Sequence, residues 1–389
     1  MTHLVLTEAA TAATSLIAAA GLGQAMFGWH AFRRFRAVPE DPPPALPPVT
    51  ILKPLHGDEP MLEEALASFC AQDYPCFQIV FGLQDPADAA LHVLRRIRKR
   101  FPALDMEVVV DPTPHGANRK VANLINMLPS ARHDMLVIAD SDIHAPAGYL
   151  MRLAEALLRP GAGLVTTAYV GLPATESLPG QFGASYINHT FLPGALMARR
   201  LGRQDCMGAT MAVTRQTLEL VGGFEALSDH LADDAVLGKF VLAVGLSVEL
   251  APTLPATTVP ETSLTDLYQH ELRWARTIKS VAPLGFALSV VQFPLFWSAL
   301  SVLLSGGEAW ALVLFATIWA FRAAIAADLD RSLGVAAIPA WLVPLRDLFS
   351  VAVMLASYAS DEVAWRGQVL HASAPPILNP VPSHVSGEG

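Results

Sequence analysis

The sequence has few charged residues and no excess of positive charge. Asp, Glu, Lys and Arg make up 16% of its 389 residues, whereas soluble globular proteins carry about a quarter. This shortage argues against an ordinary soluble protein and indicates membrane-embedded segments. The formal net charge is −9, which argues against a protein that binds nucleic acid, because such a protein would present a basic face.

Cysteine is also scarce. The three cysteines, Cys70, Cys76 and Cys206, form neither a CxxC motif nor a Cys/His spacing. This excludes the usual structural zinc site and a disulfide framework. The three residues are therefore interpreted as buried small apolar side chains in a reducing compartment.

One long apolar run opens the chain. Residues 4–28 are apolar over about the length that crosses a bilayer. No Lys or Arg precedes this run and Arg33, Arg34 and Arg36 follow it, which is the reverse of a cleaved signal peptide. The positive-inside rule then places the N-terminus outside and the rest in the cytoplasm. We expect a transmembrane anchor over residues 1–36, followed by a stiff proline-rich linker over residues 37–48.

Residues 49–262 show the pattern of an α/β domain. Short β-rich runs begin near Val49, Gln78, Met106, Asp134 and Gly163. Stretches such as "EPMLEEALASFCA" and "ADAALHVLRRIRKRF" between them are typical of helices. Strands alternating with such helices predict βαβ units and a mostly parallel sheet. Ligands of these sheets bind at the carboxyl ends of the strands.

The remaining chain turns apolar again. Residues 263–282 predict an amphipathic interfacial helix. Residues 283–371 contain three candidate spans, at 283–306, 309–327 and 338–359. Arg322 interrupts the second span; Pro344, Arg346 and Asp347 disturb the third, which is either a span or an interfacial or re-entrant segment. Residues 372–389 are expected to be disordered.

Two aspartates end the run "MLVIADSD" and suggest a metal site. Asp140 and Asp142 stand one residue apart after a predicted strand. Both carboxylates can face one point and hold Mg²⁺ or Mn²⁺, which usually shares its ligands with a diphosphate. The alternative is that Asp142 only caps the following helix.

Other polar residues also stand at the ends of predicted elements. Asp85 follows a strand of the same sheet and can accept hydrogen bonds from a base or ribose, or it is a turn residue before Pro86. Lys53 and Lys120 lie at element boundaries. They can face a diphosphate, or they are ordinary surface lysines.

Two further candidates come later in the chain. Asp233 and Asp234 begin a helical run, where a carboxylate is either a general base facing an acceptor hydroxyl or a cap favoured by the helix dipole. The second is "HELRW".

In "HELRW", His270, Arg273, Trp274 and Thr277 share one helix face. That face is either a binding face or an ordinary interfacial one with Trp and Arg at headgroup level.

The order of these motifs resembles the lipid-linked and processive inverting glycosyltransferases of the GT-A fold, and within them the ceramide glucosyltransferase family. The opening "ILKPLHGDEP" is similar to that of the family, and "CMGATMAVTRQTLELVGGF" to its acceptor-side segment. The three family aspartates match Asp85, Asp140 and Asp234. The closing Q/R-x-x-R-W motif matches Arg273 and Trp274, and His270 departs from it. The resemblance covers residues 45–370, and "ADSDI", "HLADD" and "HELRWARTIK" look closest to the bacterial hopanoid-biosynthesis glycosyltransferases.

The resemblance implies a hexosyltransferase in the bacterial inner membrane, multi-pass, with a cytoplasmic catalytic domain. It implies transfer of N-acetylglucosamine from UDP-N-acetylglucosamine to bacteriohopanetetrol, or, as the alternative, of glucose from UDP-glucose to ceramide.

The same resemblance implies roles for the motif residues. Asp142 with Asp140 would hold Mg²⁺ or Mn²⁺, and Asp234 would be the base. Arg273 and Trp274 would close over the donor diphosphate.

Substrate binding would fall to the other candidates. Asp85 would contact the uridine, with Lys120 nearby. Lys53, Asp233 and His270 are further substrate-binding candidates.

Two other classes compete with this interpretation. A processive synthase that extrudes its polymer would need more spans than the three or four counted here. A non-catalytic membrane protein that binds sugar lipids would tolerate the loss of acidic residues, and none of the expected acidic positions is missing.

Overall fold

An α/β domain is joined to a group of apolar helices in the computed structural model, which describes residues 2–37, 46–335, 338–360, 362–365 and 368–371. Most of the predicted linker (37–48) and the whole predicted tail (372–389) lie outside the described residues.

The first helix is α1 (Thr2–Arg36). The strands of the α/β domain are β1 (Val49–Pro54), β2 (Phe77–Leu83), β3 (Met106–Val110), β4 (Met135–Ala139), β5 (Ile143–His144), β6 (Ala162–Thr166), β7 (Val170–Pro173), β8 (Thr210–Thr214), β9 (Ser247–Leu250) and β10 (Ala256–Val259). Its helices are α2 (Leu62–Cys70), α3 (Ala90–Arg100), α4 (Arg119–Met127), α5 (Tyr149–Leu157), α6 (Leu178–Tyr186), α7 (Leu192–Arg200), α8 (Arg215–Leu220) and α9 (Asp233–Ala243). A π-helical turn, Ile187–Phe191, joins α6 to α7.

The main sheet has seven strands in the order β3-β2-β1-β4-β8-β6-β9. The pairs among β1 to β4 are parallel, as is β6 with β9. The predicted α/β class with a mostly parallel sheet is therefore confirmed. The exception is β8, which pairs antiparallel with both β4 and β6.

Both faces of this sheet are covered, which explains its uninterrupted apolar strands. Consecutive residues of β1 point to opposite sides: Ile51 packs with α2, α3 and α5, and Leu52 packs with α4, α8 and α9. Both side chains are completely buried. The result is a three-layer core in which the strand ends at one edge remain open.

The order of the strands determines which edge that is. The chain passes from β1 to β2 on one side, whereas β4 adds on the other side of β1. Such a switch point leaves a crevice beyond the carboxyl ends of β1 and β4. A second sheet has the strand order β5-β10-β7. It lies next to this crevice because only three residues, 140–142, separate the end of β4 from the start of β5.

The C-terminal region is helical up to residue 356. It contains α10 (Leu264–Val281), α11 (Pro283–Leu288), α12 (Pro294–Leu304), α13 (Ala309–Leu333) and α14 (Val343–Ala356), and it is followed by a hairpin of β11 (Glu362–Trp365) and β12 (Gln368–His371). Helix α10 lies within the segment 263–282 predicted to be an amphipathic interfacial helix, and the Ser263 hydroxyl caps it by accepting from the Asp266 amide.

Two of the described helices, Val5–Arg36 and Ala309–Leu333, are long and apolar enough to cross a membrane. The segment predicted at 283–306 is bent by 66° between Pro283–Gln292 and Pro294–Leu304, as in a broken span or a re-entrant loop. The first span contacts α12 through polar side chains, because Ser301 donates to the Thr14 hydroxyl at 2.8 Å. Such hydroxyl contacts are typical of packed membrane helices.

The third expected C-terminal span is short. Helix α14 has 14 residues, or about 21 Å, which is less than the roughly 30 Å of a bilayer core. The count of three C-terminal spans therefore stays a prediction.

The charges that disturbed the apolar pattern are partners of each other and of α10. Arg322 of α13 contacts Asp347 of α14 at 3.3 Å, and Arg346 contacts Glu271 of α10 at 2.6 Å. All four side chains are buried, as expected for ionisable groups within a helix bundle.

Candidate functional site

The crevice at the carboxyl ends of β1 and β4 is lined by the loop that carries Asp140 and Asp142. Lys53 of β1 lies beneath this loop, completely buried, and donates from Nζ to the backbone oxygen of Asp140 at 2.5 Å. Its ammonium also lies 3.9 Å from the centre of the Phe69 ring. Burial lowers the pKa of Lys53 to about 7. Lys53 therefore is not a surface lysine but a buried support of the aspartate loop.

Asp142 is held by the second sheet. The Thr257 hydroxyl donates to its Oδ2 at 2.5 Å, and the Thr258 amide donates to its backbone oxygen at 3.0 Å. Burial and the nearby Asp140 raise the pKa of Asp142 to about 6. Helix α5 begins after Gly148 with no side-chain cap, so the alternative in which Asp142 caps that helix is wrong.

Lys120 connects the aspartate loop to the start of α9. Its Nζ lies 2.7 Å from Oδ1 of Asp140 and 3.5 Å from Oδ2 of Asp233. Asn118 places it by capping α4, accepting from the amides of Lys120 and Val121. Burial opposes the charge of Lys120, but Asp140 and Asp233 raise its pKa above the usual value. The lysine is thus a buried cation shared by two acidic segments.

Asp233 and Asp234 are the first residues of α9. Oδ1 of Asp234 accepts from the Ala235 amide at 2.8 Å. Burial and Asp233 raise the pKa of Asp234 to about 6, and burial also raises that of Asp233. The N-cap position is held by Ala232, so neither aspartate serves as the cap of the helix.

Gly208 brings the segment before β8 against Asp234. A Cβ at this glycine would lie 2.8 Å from Oδ2 of Asp234. Register explains the approach: Thr210 of β8 pairs with Ala139, the last residue of β4. The antiparallel strand thereby delivers Gly208 beside the aspartate loop.

Helix α10 forms the opposite wall. His270, Arg273, Trp274 and Thr277 all line one cavity. The His270 and Trp274 rings meet edge to face with centroids 4.4 Å apart.

The cavity measures about 1280 Å³. At the sheet it is lined by Lys120, Asp140, Asp142, Asp233 and Asp234. At its other end it is lined by apolar side chains of the helical region, among them Val281, Phe286, Phe293, Val353 and Met354. The cavity therefore has two different ends. We call the charged end at the strands the charged pole, and the apolar end among the candidate membrane helices the apolar pole.

Asp85 lies apart from this space. It is exposed and its Oδ1 accepts from the Ala87 amide at 2.8 Å, as the turn interpretation expects. The neighbouring Gln84 lines the cavity.

Several site residues could not have been found from local sequence. Thr257, Glu261 and Tyr169 reach the site through β10 and the small sheet, and they belong to no motif. Gly208 lies in the segment similar to the acceptor-side segment of the family, but its contact with Asp234 comes from the pairing of β8. Burial and Asp234 raise the pKa of Tyr169 above its usual value, which places it near the acidic cluster. Glu271, by contrast, lies inside "HELRW" and could have been noticed there.

The donor set suits a hard divalent cation shared with a ligand. Among the described residues no three His, Cys, Asp or Glu side chains come together as a complete metal cage. Asp140 and Asp142 nevertheless place two carboxylates on one loop at the crevice, and Mg²⁺ typically takes one or two carboxylates together with phosphate oxygens. These residues therefore fit a cation that arrives with a diphosphate.

Comparison with known proteins identifies the family. The model of glycosyl transferase family 21 matches residues 13–377. The chain belongs to glycosyl transferase family 21. This agrees with the ceramide glucosyltransferase resemblance of its motifs.

Two curated relatives support the family assignment. Ceramide glucosyltransferase 1 of Caenorhabditis elegans is 21% identical over 243 residues, which are 62% of this chain and 52% of that protein. Ceramide glucosyltransferase of Komagataella phaffii is 32% identical over 121 residues, which are 30% of this chain and 24% of that protein. The chain thus spans about half the length, or less, of these relatives.

A solved structure supports the fold. Mannosyltransferase PcManGT from Pyrobaculum calidifontis, in complex with GDP-Man and Mn²⁺, has a TM-score of 0.50 and 21% identity and covers 90% of this family 21 chain and 99% of its own. The GT-A fold class expected from the motifs is confirmed.

Proposed function

We propose that this family 21 member is a membrane-bound inverting glycosyltransferase that moves a sugar from a UDP-sugar to a lipid hydroxyl at the cytoplasmic face of a bacterial inner membrane. The observation that carries the proposal is the two-pole cavity, in which the acidic cluster and the apolar helices share one space. A water-soluble donor fits the first pole, and a lipid whose hydroxyl must reach that donor fits the second.

At the charged pole, Asp142 and Asp140 would hold Mg²⁺ or Mn²⁺, which stabilises negative charge on the leaving diphosphate when bound. Lys53 holds the backbone of their loop from beneath, and Thr257 orients the Asp142 carboxylate. Lys120 adds a positive charge between Asp140 and Asp233. These contacts keep the two carboxylates in place before the donor arrives.

Asp234 would accept the proton of the lipid hydroxyl as that oxygen attacks the anomeric carbon. A general base works best when its pKa lies near the operating pH, and burial moves the pKa of Asp234 to about 6. Attack from the face opposite the leaving UDP gives a β-linked sugar from an α-linked donor. Asp85 stays a candidate for the uridine, and Gln84 is the neighbouring residue that lines the cavity.

Arg273 and Trp274 line the same cavity from α10 and would cover the diphosphate and the acceptor hydroxyl. Helix α10 runs directly into α11 and the bent pair of apolar helices. A lipid can therefore present its polar end at the sheet while its chain stays among the helices.

Gly208 gives a test of the position of Asp234. Gly208→Ala would place a methyl group 2.8 Å from Oδ2 of Asp234, so the carboxylate must move. We expect kcat to fall by up to about 100-fold, because a displacement of about 1 Å costs that much in a positioned site. Gly194→Ala is the matched control, since that glycine also lines the cavity but its added Cβ meets no atom within 4 Å. Equal rates for the two variants would contradict this placement of the base.

The substrates are tested with purified protein in detergent and Mg²⁺ or Mn²⁺. UDP-glucose and UDP-N-acetylglucosamine are each combined with ceramide and with bacteriohopanetetrol, and the products are identified by mass spectrometry. The hopanoid-type motifs favour an N-acetylglucosaminyl bacteriohopanetetrol, whereas the named relatives favour glucosylceramide. Binding of a donor without any product would support the non-catalytic sugar-lipid binding protein instead.

A further inference from the structure

The N-terminal helix α1 contributes one polar side chain to the wall of the cavity. Gln24 lies within the candidate span Val5–Arg36, and it lines the same space as the acidic loop and α10. A polar side chain inside a membrane helix is costly, and it typically marks a functional contact. Helix α1 therefore forms part of the cavity in addition to crossing the membrane.

Two glycines of α1 hold Gln24 in place. A Cβ at Gly21 would overlap the backbone oxygen of Val291, and a Cβ at Gly28 would lie 2.9 Å from Cβ of Pro193. Because neither glycine has a side chain, α1 can approach both neighbours this closely. Residues 21, 24 and 28 share one face of a helix. Gln24 is therefore held between the turn that contains Val291 and the start of α7.

That turn supplies a second glutamine to the same wall. It is the 3₁₀ turn Ser289–Gln292, and Gln292 also lines the cavity. Gln292 follows Val291, beside which Gly21 packs, and it precedes Phe293 of the apolar pole at the break of the bent helix pair. Two side-chain amides, one from α1 and one from the bend, thus lie on neighbouring parts of the wall toward the apolar pole.

Neither glutamine has a partner of its own. In the part of the chain that the structure describes, the side chains of Gln24 and Gln292 make no hydrogen bond. Ser350, another polar residue lining this end, is by contrast engaged, because its hydroxyl accepts from Arg346 at 3.0 Å. An amide without a partner among apolar side chains costs free energy. A ligand that brings hydrogen-bonding groups to this place would remove that cost.

The reacting hydroxyl of the lipid is not the group that these glutamines would meet. In the proposed mechanism that oxygen lies at the charged pole beside Asp234, whereas Gln24 and Gln292 lie toward the apolar pole. A carboxamide offers an N–H donor and a carbonyl acceptor, so it suits either a hydroxyl or an amide. The matching lipid therefore carries such a group in addition to the hydroxyl that reacts.

We propose that Gln24 and Gln292 form a second polar contact for the acceptor and select lipids that carry a further hydroxyl or amide group behind the reacting hydroxyl. The inference rests on the proposed function, because it needs a lipid acceptor in this cavity. It names the chemical class of that acceptor. Ceramide, with an amide and a second hydroxyl, and bacteriohopanetetrol, with several hydroxyls, belong to the class, whereas a simple long-chain alcohol does not.

The test uses Gln24→Met and Gln292→Met, singly and together, in the full chain. Methionine keeps the length of the side chain and suits an apolar wall. Product formation in detergent micelles gives the KM for ceramide or bacteriohopanetetrol and the KM for the UDP-sugar. We expect each single variant to raise the acceptor KM roughly 5-fold, the value of one neutral hydrogen bond. The donor KM, kcat and the temperature of thermal unfolding should stay nearly unchanged.

A lipid with one hydroxyl separates a polar contact from the shape of the cavity. 1-Hexadecanol, used as a competitor of the acceptor, brings no second polar group to the glutamines, so its inhibition constant should be the same for wild-type and variant proteins. A constant that rises in proportion to the acceptor KM would contradict the proposal, because the variants would then have altered the shape of the cavity. Gln216→Met, at an exposed glutamine of α8 outside the cavity, is the control and should change neither value.

Two further results would overturn this inference alone. The first is an unchanged acceptor KM in the double variant beside normal wild-type turnover. The second is a lower unfolding temperature together with a lower kcat, because the glutamines would then hold the helices together and not the lipid. If wild-type protein glycosylated neither lipid, the proposed function would fail and this inference with it.

Discussion

Replacing Asp234 by Asn is expected to lower kcat by about 10²- to 10⁴-fold, the usual contribution of a positioned general base. The amide keeps the size of the side chain and can still meet the Ala235 amide, but it cannot take the proton of the acceptor hydroxyl. Donor binding should therefore change little, because the aspartate loop and Lys120 remain. The measurement is product formation under saturating donor and lipid, together with donor affinity by calorimetry.

The pH profile sharpens this prediction. Burial and Asp233 raise the pKa of Asp234 to about 6, and the base acts only when deprotonated. Wild-type activity should therefore be present above about pH 6 and be lost as the pH falls through that value. Asp142 also has its pKa raised to about 6, so the acidic limb belongs to the site as a whole. Asp73→Asn, at an exposed aspartate outside the cavity, is the control, and full turnover by Asp234→Asn would contradict the mechanism.

Replacing Arg346 by Met is expected to destabilise the protein by about 3–5 kcal/mol, because it leaves a buried charge unpaired. Arg346 and Glu271 contact each other at 2.6 Å with 4% and 7% of their side chains exposed. Arg346 also lies against the rings of Phe182, Tyr186 and Phe349 at 5.1–5.8 Å, which leaves little water to solvate a lone Glu271. Thermal unfolding in detergent measures the loss.

A double variant separates the pair from the individual side chains. Arg346→Met with Glu271→Met removes both charges, so it should recover much of the stability that the single variant loses. Arg331→Met is the control: Arg331 is 77% exposed and 3.8 Å from Asp328, and its loss should cost no more than about 1 kcal/mol. A double variant no more stable than Arg346→Met would show that the ion pair is not what holds α10 to α14.

The parts of the fold that could be predicted from the sequence are those that leave a pattern within one short segment of the chain. The apolar runs that form β1, β2, β4 and β6 are buried on both faces, and such runs alternating with helices indicate a parallel sheet without knowledge of its partners. The antiparallel position of β8 beside β4 could not be predicted in this way. It depends on how the chain folds back after α7, and the local sequence of β8 does not show that. The bend at Phe293 was not predicted, whereas Pro344, Arg346 and Asp347 had already left open whether the segment of α14 spans the membrane.

The residues of the candidate site also fall into two groups: those that the local sequence marks and those that only the tertiary structure brings to the site. Asp140 and Asp142 follow a predicted strand, so the ligand rule for α/β sheets made them candidates. Asp233 and Asp234 became candidates because they open a predicted helix. Lys53 was placed at the right boundary but on the wrong side of the loop, since a lysine gives no local sign of being buried under Asp140. Glu261 and Thr257 reach the cavity only through tertiary pairing, and no spacing along the chain could have shown them.

Charges within apolar stretches were the other limit. Two of the predicted spans looked less apolar because they contain Arg322, Arg346 and Asp347. In the structure Arg322 pairs with Asp347, and Arg346 pairs with Glu271 of α10; both pairs are buried. Their presence thus indicates helices that pack together, and the sequence shows the charges without showing which side chains meet.

The most direct test of the central claim is the anomeric configuration of the product. Purified protein is given its α-linked UDP-sugar, the divalent cation and the lipid acceptor, and the first-formed glycolipid is examined by proton NMR. Single displacement with Asp234 as base predicts a β-linked sugar only. An α-linked product would contradict the account, because it would require a retained configuration that this arrangement of one base and a metal-bound diphosphate does not provide.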